Sequence, residues 1–354
     1  MPASAAPFPA VEAARVGATL ALGTAGGALC WALDLPLPWM LGAMLATLVA
    51  VLMGAGLKPP AGARALVTAV IGVMLGAAFS PDLLGDIAGW ALSLAILLGY
   101  LAVAAAVLVP FYIRVGRMDP ITAFFSAMPG GMVEMMMLGE DMGGDGRRIV
   151  LTHAARIVIT VAVIALVFRW GLGLDVSGGA FAGGAPLRLW DVVLLALSGV
   201  AGVWLGPRLK LPAPTLLGPM LVSAAVHLAG WTDGAPPGWL VAAAQVFLGT
   251  IMGCRFLGAG RDLVLRALAL SFWATSLALA LCIAVAFAFS GAIGQPVSQV
   301  VLAFAPGGLS EMGLVALALG ADVAYVTAHH IVRIAVLVAV APLVLKPLAA
   351  RLQR

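Results

Sequence analysis

Two sets of ionisable residues stand inside apolar stretches of this chain. They are Glu134, His153 and Arg156 in the first half, and Glu311, His330 and Arg333 in the second. A charged side chain at the centre of a bilayer costs at least ~2.5–3.5 kcal/mol unless it is paired or hydrated. Residues of these types at that depth can hold an anion or exchange a proton, so both sets are candidate sites for binding or transport.

Each glutamate closely follows a Pro-Gly-Gly sequence, Pro129-Gly130-Gly131 or Pro306-Gly307-Gly308. Proline removes a helix hydrogen bond and glycine permits a sharp reversal, so we predict that the apolar segment breaks there into two short helices. Each arm of about nine residues, roughly 13 Å of helix, reaches the middle of a membrane and turns back. The glutamate then lies in the first turn of the second arm, where the helix dipole favours a carboxylate. Ser310 is counted with this site.

The two sets belong to a duplication that runs along the whole chain. The block Leu35–Leu45 returns as Leu211–Leu221, and the Pro-Gly-Gly-x-x-Glu-Met and His-x-x-Arg-Ile blocks return in the same order at almost the same spacing. Chance supplies one such match but not a series in register. We therefore predict two membrane repeats, residues 1–176 and 177–354, joined by a glycine-rich segment at 171–187.

Each repeat is predicted to contain six apolar helices, from the length and the Leu, Ala and Met content of its segments. The first set spans 13–33, 37–56, 64–80, 87–112, 119–140 and 148–170, and the second spans 188–206, 213–230, 239–257, 263–290, 297–320 and 324–345. The paired glycines Gly72/Gly76 and Gly249/Gly253 predict close helix packing. The Leu-Pro-x-Pro blocks are predicted to fix the start of the second helix of each repeat.

The distribution of Lys and Arg predicts the orientation of the repeats. Basic loops follow segments 2, 4 and 5 of the first repeat but segments 1, 3 and 6 of the second. Because basic loops stay in the cytoplasm, the repeats must be inverted, with the fifth segment of each entering and leaving on one side. We thus predict an all-α integral membrane protein with two inverted-topology repeats, each of about five transmembrane helices plus one re-entrant helical hairpin. Both termini are expected in the cytoplasm of a bacterium, and the protein in its inner membrane.

Composition excludes several classes of function. The chain is 63% hydrophobic and 10% charged, whereas a soluble domain is about 25% charged. The net charge of +4 is scattered between apolar runs, so no basic face for nucleic acid is expected. Cys30, Cys254 and Cys282 lack the spacing of a metal site or a disulfide framework. We expect no cofactor, no metal and no enzymatic activity.

The blocks MPGGMVEM with LTHAARI and APGGLSEM with AHHIVRI resemble the bacterial AbrB-type membrane protein duplication family, over nearly the whole chain. That resemblance implies a duplicated membrane protein, and the labels of the family name regulation of gene expression or ammonia monooxygenase activity. The residues do not support the oxygenase label, because a copper or iron site needs clustered His or carboxylate ligands. The architecture is also similar to glutamate and citrate symporters with paired re-entrant hairpins, an analogy of fold only.

Three functional hypotheses follow. The first is a secondary transporter of a small anionic metabolite coupled to H⁺ or Na⁺, because paired broken helices in inverted repeats point to a transport site. The second is a membrane regulator of gene expression without direct DNA binding, and the third is a membrane oxidase. A purely structural alternative pairs Glu134 with Arg156 and Glu311 with Arg333. Expected partners are membrane lipid and a small-molecule or ion substrate, with a homo-oligomer left open and no direct nucleic acid.

Overall fold

Helices form all the regular structure in the part of the chain that the computed structural model describes, residues 10–79, 89–171, 173 and 187–352. No β-strand occurs among these residues. The predicted repeat boundary at residues 176 and 177 lies outside them. So do most of the predicted linker 171–187 and the start of the predicted segment 87–112.

Seven α-helices precede residue 171 and seven follow residue 187 within the described ranges. The first seven are α1 (Ala10–Ala32), α2 (Pro38–Leu52), α3 (Arg64–Ala77), α4 (Trp90–Arg114), α5 (Pro120–Ala127), α6 (Met132–Asp141) and α7 (Gly146–Leu166). The others are α8 (Leu189–Arg208), α9 (Pro214–Leu228), α10 (Gly238–Gly253), α11 (Arg261–Ile293), α12 (Val297–Phe304), α13 (Leu309–Ala318) and α14 (Val323–Leu352). Both predicted fifth segments are divided, into α5 and α6 and into α12 and α13.

The Leu-Pro-x-Pro blocks start the second helix of each half, as predicted. α2 begins at Pro38 and α9 at Pro214, each the second proline of its block. Proline is favoured at the first helical position because its missing N–H has no helical partner there. The residues just before, Leu37 and Ala213, both take a left-handed backbone with φ 45°. This conformation turns the chain sharply into each helix.

Six of the described helical stretches are long and apolar enough to cross a membrane. They are Trp90–Arg114, Gly146–Gly171, Leu189–Arg208, Gly238–Phe256, Arg261–Ile293 and Val323–Leu345. Three other helices are shorter than predicted, since α2 and α9 have 15 residues and α3 has 14. A straight helix needs about 20 residues to span the hydrocarbon core. The chain is thus an all-helical protein that fits a multi-pass membrane protein.

The helices associate in two groups, each of which combines both halves of the chain. In the glycine-packed group (α1–α3 with α8–α10), α2 lies between α1 and α10, and α9 lies between α3 and α8. In the broken-helix group (α4–α7 with α11–α14), α11 contacts α4 and α7, and the divided helices pack beside α7 and α14. Contacts between the two groups are sparse, and the most extensive joins α13 to α3.

Glycines bring helices of the two halves into backbone contact. A Cβ at Gly72 or Gly76 of α3 would meet carbonyl oxygens of α9, and a Cβ at Gly249 or Gly253 of α10 would meet carbonyl oxygens of α2. The predicted role of these glycines in close packing is therefore confirmed. Each contact joins the third helix of one half to the second helix of the other.

We expect Gly76→Ala to destabilise the protein by about 1–3 kcal/mol, because overpacking of a tight contact costs that much. Its methyl group would collide with the Met220 carbonyl and approach the Ser223 Cβ to 2.6 Å. Gly99→Ala is the matched control, since a Cβ there has no atom within 4 Å. Thermal unfolding of the detergent-purified variants measures the difference. Equal unfolding temperatures would contradict the packing interpretation.

Candidate functional site

The first divided segment leaves two helix ends inside the broken-helix group. α5 ends at Ala127, the backbone at Met128 and Gly131 is extended, and α6 starts at Met132. The last carbonyl groups of α5 and the first N–H groups of α6 therefore lack partners within a helix. The same situation arises between Phe304 and Leu309. Buried groups of this kind must be satisfied by other parts of the protein.

Arg156 of α7 binds the carbonyl end of α5. Its Nη1 donates to the carbonyl oxygens of Ser126 at 3.2 Å and Met128 at 3.1 Å, and its side chain is buried, with the residue 4% exposed. A cation is favoured at the C-terminal end of a helix, where the macrodipole is negative. The guanidinium group thus takes the place that water would occupy at the end of an exposed helix.

Arg333 of α14 does the same for the second divided segment. Its Nη1 donates to the Ala305 carbonyl at 2.6 Å and its Nη2 to the Gly307 carbonyl at 3.1 Å, and the residue is 1% exposed. Both arginines therefore join the first arm of a divided segment to the long helix that follows it.

The two histidines have different surroundings. His153 donates from Nε2 to the Phe125 carbonyl at 2.7 Å, so its Nδ1 is free to accept from Arg156 Nη2 at 3.0 Å. It holds the arginine in place as a neutral ring. His330 instead donates from Nδ1 to the Val326 carbonyl at 2.9 Å. Its Nε2 is buried and has no hydrogen-bond partner in the described residues.

Both glutamates fold back over the glycine that precedes the second arm. A Cβ at Gly131 would fall on the carboxylate of Glu134, and a Cβ at Gly308 would fall on that of Glu311. Ser310 Oγ donates to Glu311 Oε2 at 3.0 Å. Each carboxylate therefore lies at the positive end of α6 or α13, as the sequence predicts. The second glycine of the motif makes room for it.

The first glycine of each motif makes room for the methionine that ends it. A Cβ at Gly130 would come within 2.6 Å of the Met135 sulfur, and a Cβ at Gly307 within 2.7 Å of the Met312 Cγ. Pro-Gly-Gly-x-x-Glu-Met is thus one local structure, in which the glutamate and the methionine cover the two glycines.

The interpretation of each glutamate and arginine as a simple ion pair is wrong. The ion pairs found in the described parts of the chain join Lys58 to Glu12, Arg148 to Asp145 and Arg169 to Asp34. Among the described residues, neither Glu134–Arg156 nor Glu311–Arg333 comes within 4.0 Å. The reason is that the arginines bind the carbonyl end of one arm, while the glutamates lie over the glycine at the amide end of the other.

The tips of the two divided segments meet at one small cavity. Pro129 and Pro306 both line it, together with Arg156, Tyr100 and Thr275. About 10 Å³ of it is open to the centre of a water molecule, which is roughly the room for one water. Sequence reasoning missed Tyr100 and Thr275, since a single polar residue within an apolar helix gives no clue to the direction of its side chain.

Several buried polar atoms in the broken-helix group lack partners. Within the described residues, no hydrogen-bond partner is present for the Nε atoms of Arg156 and Arg333, for Thr275 Oγ1 or for Glu311 Oε1. Buried polar atoms are normally paired, so each unpaired atom needs an explanation. Arg156 and Thr275 line the cavity, so one acceptor atom bound there is placed to serve both of them.

The two divided segments differ in burial. Glu311 is 2% exposed, and its helix α13 packs on α3, with Gly313 against Leu75. Glu134 is only half-buried, and its helix α6 leaves Val133 and Met137 exposed. The second segment is therefore closed against the glycine-packed group, while the first is open.

No group of three or more His, Cys, Asp or Glu side chains in the described ranges is arranged to hold a metal ion. The expected lack of a metal, a cofactor and enzymatic activity stays a prediction.

Comparisons with known proteins show what the chain is similar to. The family model described as "Transition state regulatory protein AbrB" matches residues 39–349. A protein of Escherichia coli (strain K12) named "Putative regulator AbrB" is 27% identical over 312 residues, which cover 86% of this chain and 87% of that protein. A protein of Bacillus subtilis (strain 168) named "Uncharacterized protein YhjN" is 27% identical over 349 residues, which cover 91% and 90%.

Gly308→Ala is expected to destabilise the protein by about 1–3 kcal/mol, because its Cβ would displace the Glu311 carboxylate. In a protein that already carries Glu311→Ala, the Gly308→Ala substitution should cost much less stability, because the carboxylate that its Cβ would displace is absent. A double-mutant cycle on thermal unfolding measures the coupling. Gly307→Ala is the matched control, because its Cβ meets Met312, and its penalty should persist without the carboxylate. Equal coupling for both glycines would refute this account of the motif.

Proposed function

The chain belongs to the family described as transition state regulatory protein AbrB, and we propose that it is a secondary transporter of a small anionic metabolite coupled to H⁺ or Na⁺. One observation carries the proposal: the tips of both divided helices meet Arg156 at a single buried cavity. Non-helical backbone at membrane depth is tolerated where protein covers it or where it lines a cavity. Such tips are where secondary transporters bind their substrates.

An anionic substrate suits the charges around the cavity. Arg156 and Arg333 are buried, and no carboxylate lies within 4.0 Å of either among the described residues. Two buried cations without a countercharge are costly. A bound anion would neutralise them and accept a hydrogen bond from the unpaired Nε of Arg156, which lines the cavity. Because the cavity has room for about one water in this structure, binding of a metabolite requires it to widen.

The coupled proton is assigned to the second half. Glu311 has a buried oxygen without a partner, and His330 has a buried ring nitrogen without one, in the described residues. A buried carboxylate is costly to keep charged without full hydrogen bonding. Glu311 is therefore the candidate proton carrier, whereas Glu134 is half-buried and remains nearer to water. Na⁺ coupling stays open.

Inverted repeats of residues 1–176 and 177–354 are part of the proposal. The glycine contacts support them, because α3 meets α9 in the same way as α10 meets α2, which is what a twofold relation between halves produces. The alternation of basic loops supports an inverted rather than a parallel relation. We place the protein in the bacterial inner membrane with both termini in the cytoplasm and the divided segments as re-entrant hairpins.

The division into two helix groups supports a mechanism of alternating access. The broken-helix group contains both hairpins and both buried arginines, and it has sparse contacts with the glycine-packed group. A body that carries the whole site and is loosely attached can move relative to its support. In the structure α13 packs against α3, whereas α6 is open. We interpret this difference as one end state of such a movement.

A membrane regulator of gene expression is the second candidate, favoured by the description of the family and the name of the Escherichia coli relative. It requires no flux, and its effect on gene expression would pass through a partner protein rather than through direct DNA binding. The two candidates are compatible if the transported metabolite is itself a signal. Neither assigns a catalytic residue.

We expect purified protein in proteoliposomes to take up a small carboxylate or phosphate, chosen by thermal-shift screening, in a saturable way. Arg156→Lys should reduce uptake about tenfold or more, because an ammonium group cannot reproduce the planar fork that binds several acceptors. Arg208→Lys is the matched control, since Arg208 is an exposed residue stacked on Trp204. Uptake that is unchanged by Arg156→Lys would contradict the proposal that the substrate binds at the central cavity. A change of gene expression in cells without any flux would favour the regulator.

Gly56→Cys and Asp233→Cys should react with a membrane-impermeant thiol reagent from opposite faces of the membrane. Both positions are exposed and follow the second helix of their half, at α2 and α9. Inverted repeats require Gly56 to face the cytoplasm and Asp233 the other side. Right-side-out and inside-out vesicles distinguish the two faces. Reaction of both cysteines from one face would rule out the inversion.

A further inference from the structure

An open groove lies between the ends of α4, α7 and α11. It has a volume of about 510 Å³ and is lined by three arginines from the three helix ends, Arg117, Arg148 and Arg266, with Trp273 beside them. Arg148 Nη1 donates to the Arg117 carbonyl at 3.3 Å, and the Asp145 carboxylate is 4.0 Å from Arg148 Nε. Within the described residues no carboxylate comes within 4.0 Å of Arg117 or Arg266. The groove therefore carries an excess of positive charge.

This groove lies in line with the central cavity. On α7, Arg148 and Thr152 line the groove and Arg156 lines the cavity. On α11, the groove extends along residues 263–273 and the cavity along 274–278. The same helices thus form both spaces, one behind the other.

One polar layer separates the groove from the cavity. It consists of Tyr112, Thr152 and Ser271, each at most 1% exposed. Ser271 Oγ donates to the Thr152 carbonyl at 3.4 Å, and Tyr112 lines the cavity. Thr152 lines the groove and Tyr112 lines the cavity, so this layer borders both spaces.

The equivalent positions in the other copy of the duplicated sequence are filled with aromatic side chains. The groove is lined by Ala267, Arg148 and Thr152, among others. When the two copies are aligned on their Pro-Gly-Gly blocks, the counterparts of these residues are, in the same order, Trp90, Tyr325 and His329. The rings of Trp90 and Tyr325 are 5.7 Å apart, and those of Tyr325 and His329 are 4.1 Å apart. All three counterparts are buried.

The backbone at Arg117 is left-handed, with φ 48°, a conformation that disfavours residues with a Cβ. Its counterpart in the second copy is Gly294, with φ 72°. Glycine satisfies this backbone without strain, so the arginine is not required by the turn.

We propose that the basic groove is the cytoplasmic entrance for the anionic substrate, and that Trp90, Tyr325 and His329 seal the corresponding path at the opposite end. The inference rests on the proposed function and on the predicted orientation of the repeats. Three arginines around one concave space raise the local concentration of anions and guide them inward. Topology explains why basic residues occur at this end, but not why three of them converge on one groove in line with Arg156.

Thiol reactivity tests the groove without any transport assay. In a variant with the three native cysteines replaced by alanine, Ala267→Cys places a thiol in the groove. Leu265→Cys is the matched control, close by on the same helix and exposed outside the groove. The quantity measured at each position is the reaction rate of an anionic methanethiosulfonate divided by that of its cationic analogue. We expect this ratio to be about tenfold higher at position 267 than at position 265. The preference should shrink with added salt.

Arg117→Gly should lower this preference severalfold and at the same time raise the midpoint of thermal unfolding, because it removes the left-handed strain. Arg148→Gln and Arg266→Gln should lower the preference without that gain in stability. Equal preferences at positions 265 and 267 in purified protein would overturn the inference. So would a preference that all three substitutions leave unchanged.

A lipid headgroup is the competing occupant of the groove. Nanodiscs of phosphatidylcholine alone and nanodiscs containing phosphatidylglycerol separate the two cases. An anion entrance stays reactive at position 267 in both, whereas protection by phosphatidylglycerol alone would assign the groove to lipid and overturn the inference. If the protein shows no uptake but position 267 keeps its preference for the anionic reagent, the transporter proposal is contradicted and the groove inference stands. If the protein shows uptake but position 267 has no such preference, the groove inference is contradicted and the transporter proposal stands.

Discussion

A helix that is broken inside a membrane protein exposes backbone groups where no water can satisfy them, and this constraint governs the two divided segments. The carbonyl end of the first arm is negative and the amide end of the second is positive. Arg156 and Arg333 bind the carbonyl ends, while Glu134 and Glu311 fold onto the amide ends. Each break therefore has a cation and an anion of its own, separated by the Pro-Gly-Gly turn rather than joined as an ion pair.

That arrangement links structure to function. Because the arginines are used by the backbone, they can stay charged and buried without a carboxylate partner, and each keeps an Nε donor free in the described structure. The turns that need this support also carry Pro129 and Pro306 to the central cavity. Under the proposed function, this site presents positive charge and unpaired donors to a small anion. The arginine contacts that stabilise the turns would then also serve binding, so substitution of either arginine would affect both.

The halves of the chain are similar in sequence but are used differently. α13 is closed against α3, whereas α6 is open, and His153 supports Arg156 while His330 turns to its own helix. At the helix ends, an open groove with three arginines occurs at one set of positions, and the positions related to it by the duplication hold Trp90, Tyr325 and His329. A duplicated fold supplies two equivalent frameworks, and substitutions at a few positions give its two ends different chemistry.

The sequence by itself determined the helical fold class, the breaks at the two Pro-Gly-Gly turns, the position of both glutamates and the close packing at Gly72 and Gly249, because these depend on neighbours within a few residues or on a repeated pattern. Only the tertiary structure decided what Arg156 and Arg333 bind, since their carbonyl partners lie on the preceding divided segment, several helical turns away along the chain. It alone revealed that each helix group combines helices from both halves of the chain, and it alone placed Tyr100 and Thr275 at the cavity. The direction of a single polar side chain on an apolar helix follows from the packing of distant helices, which no local pattern records.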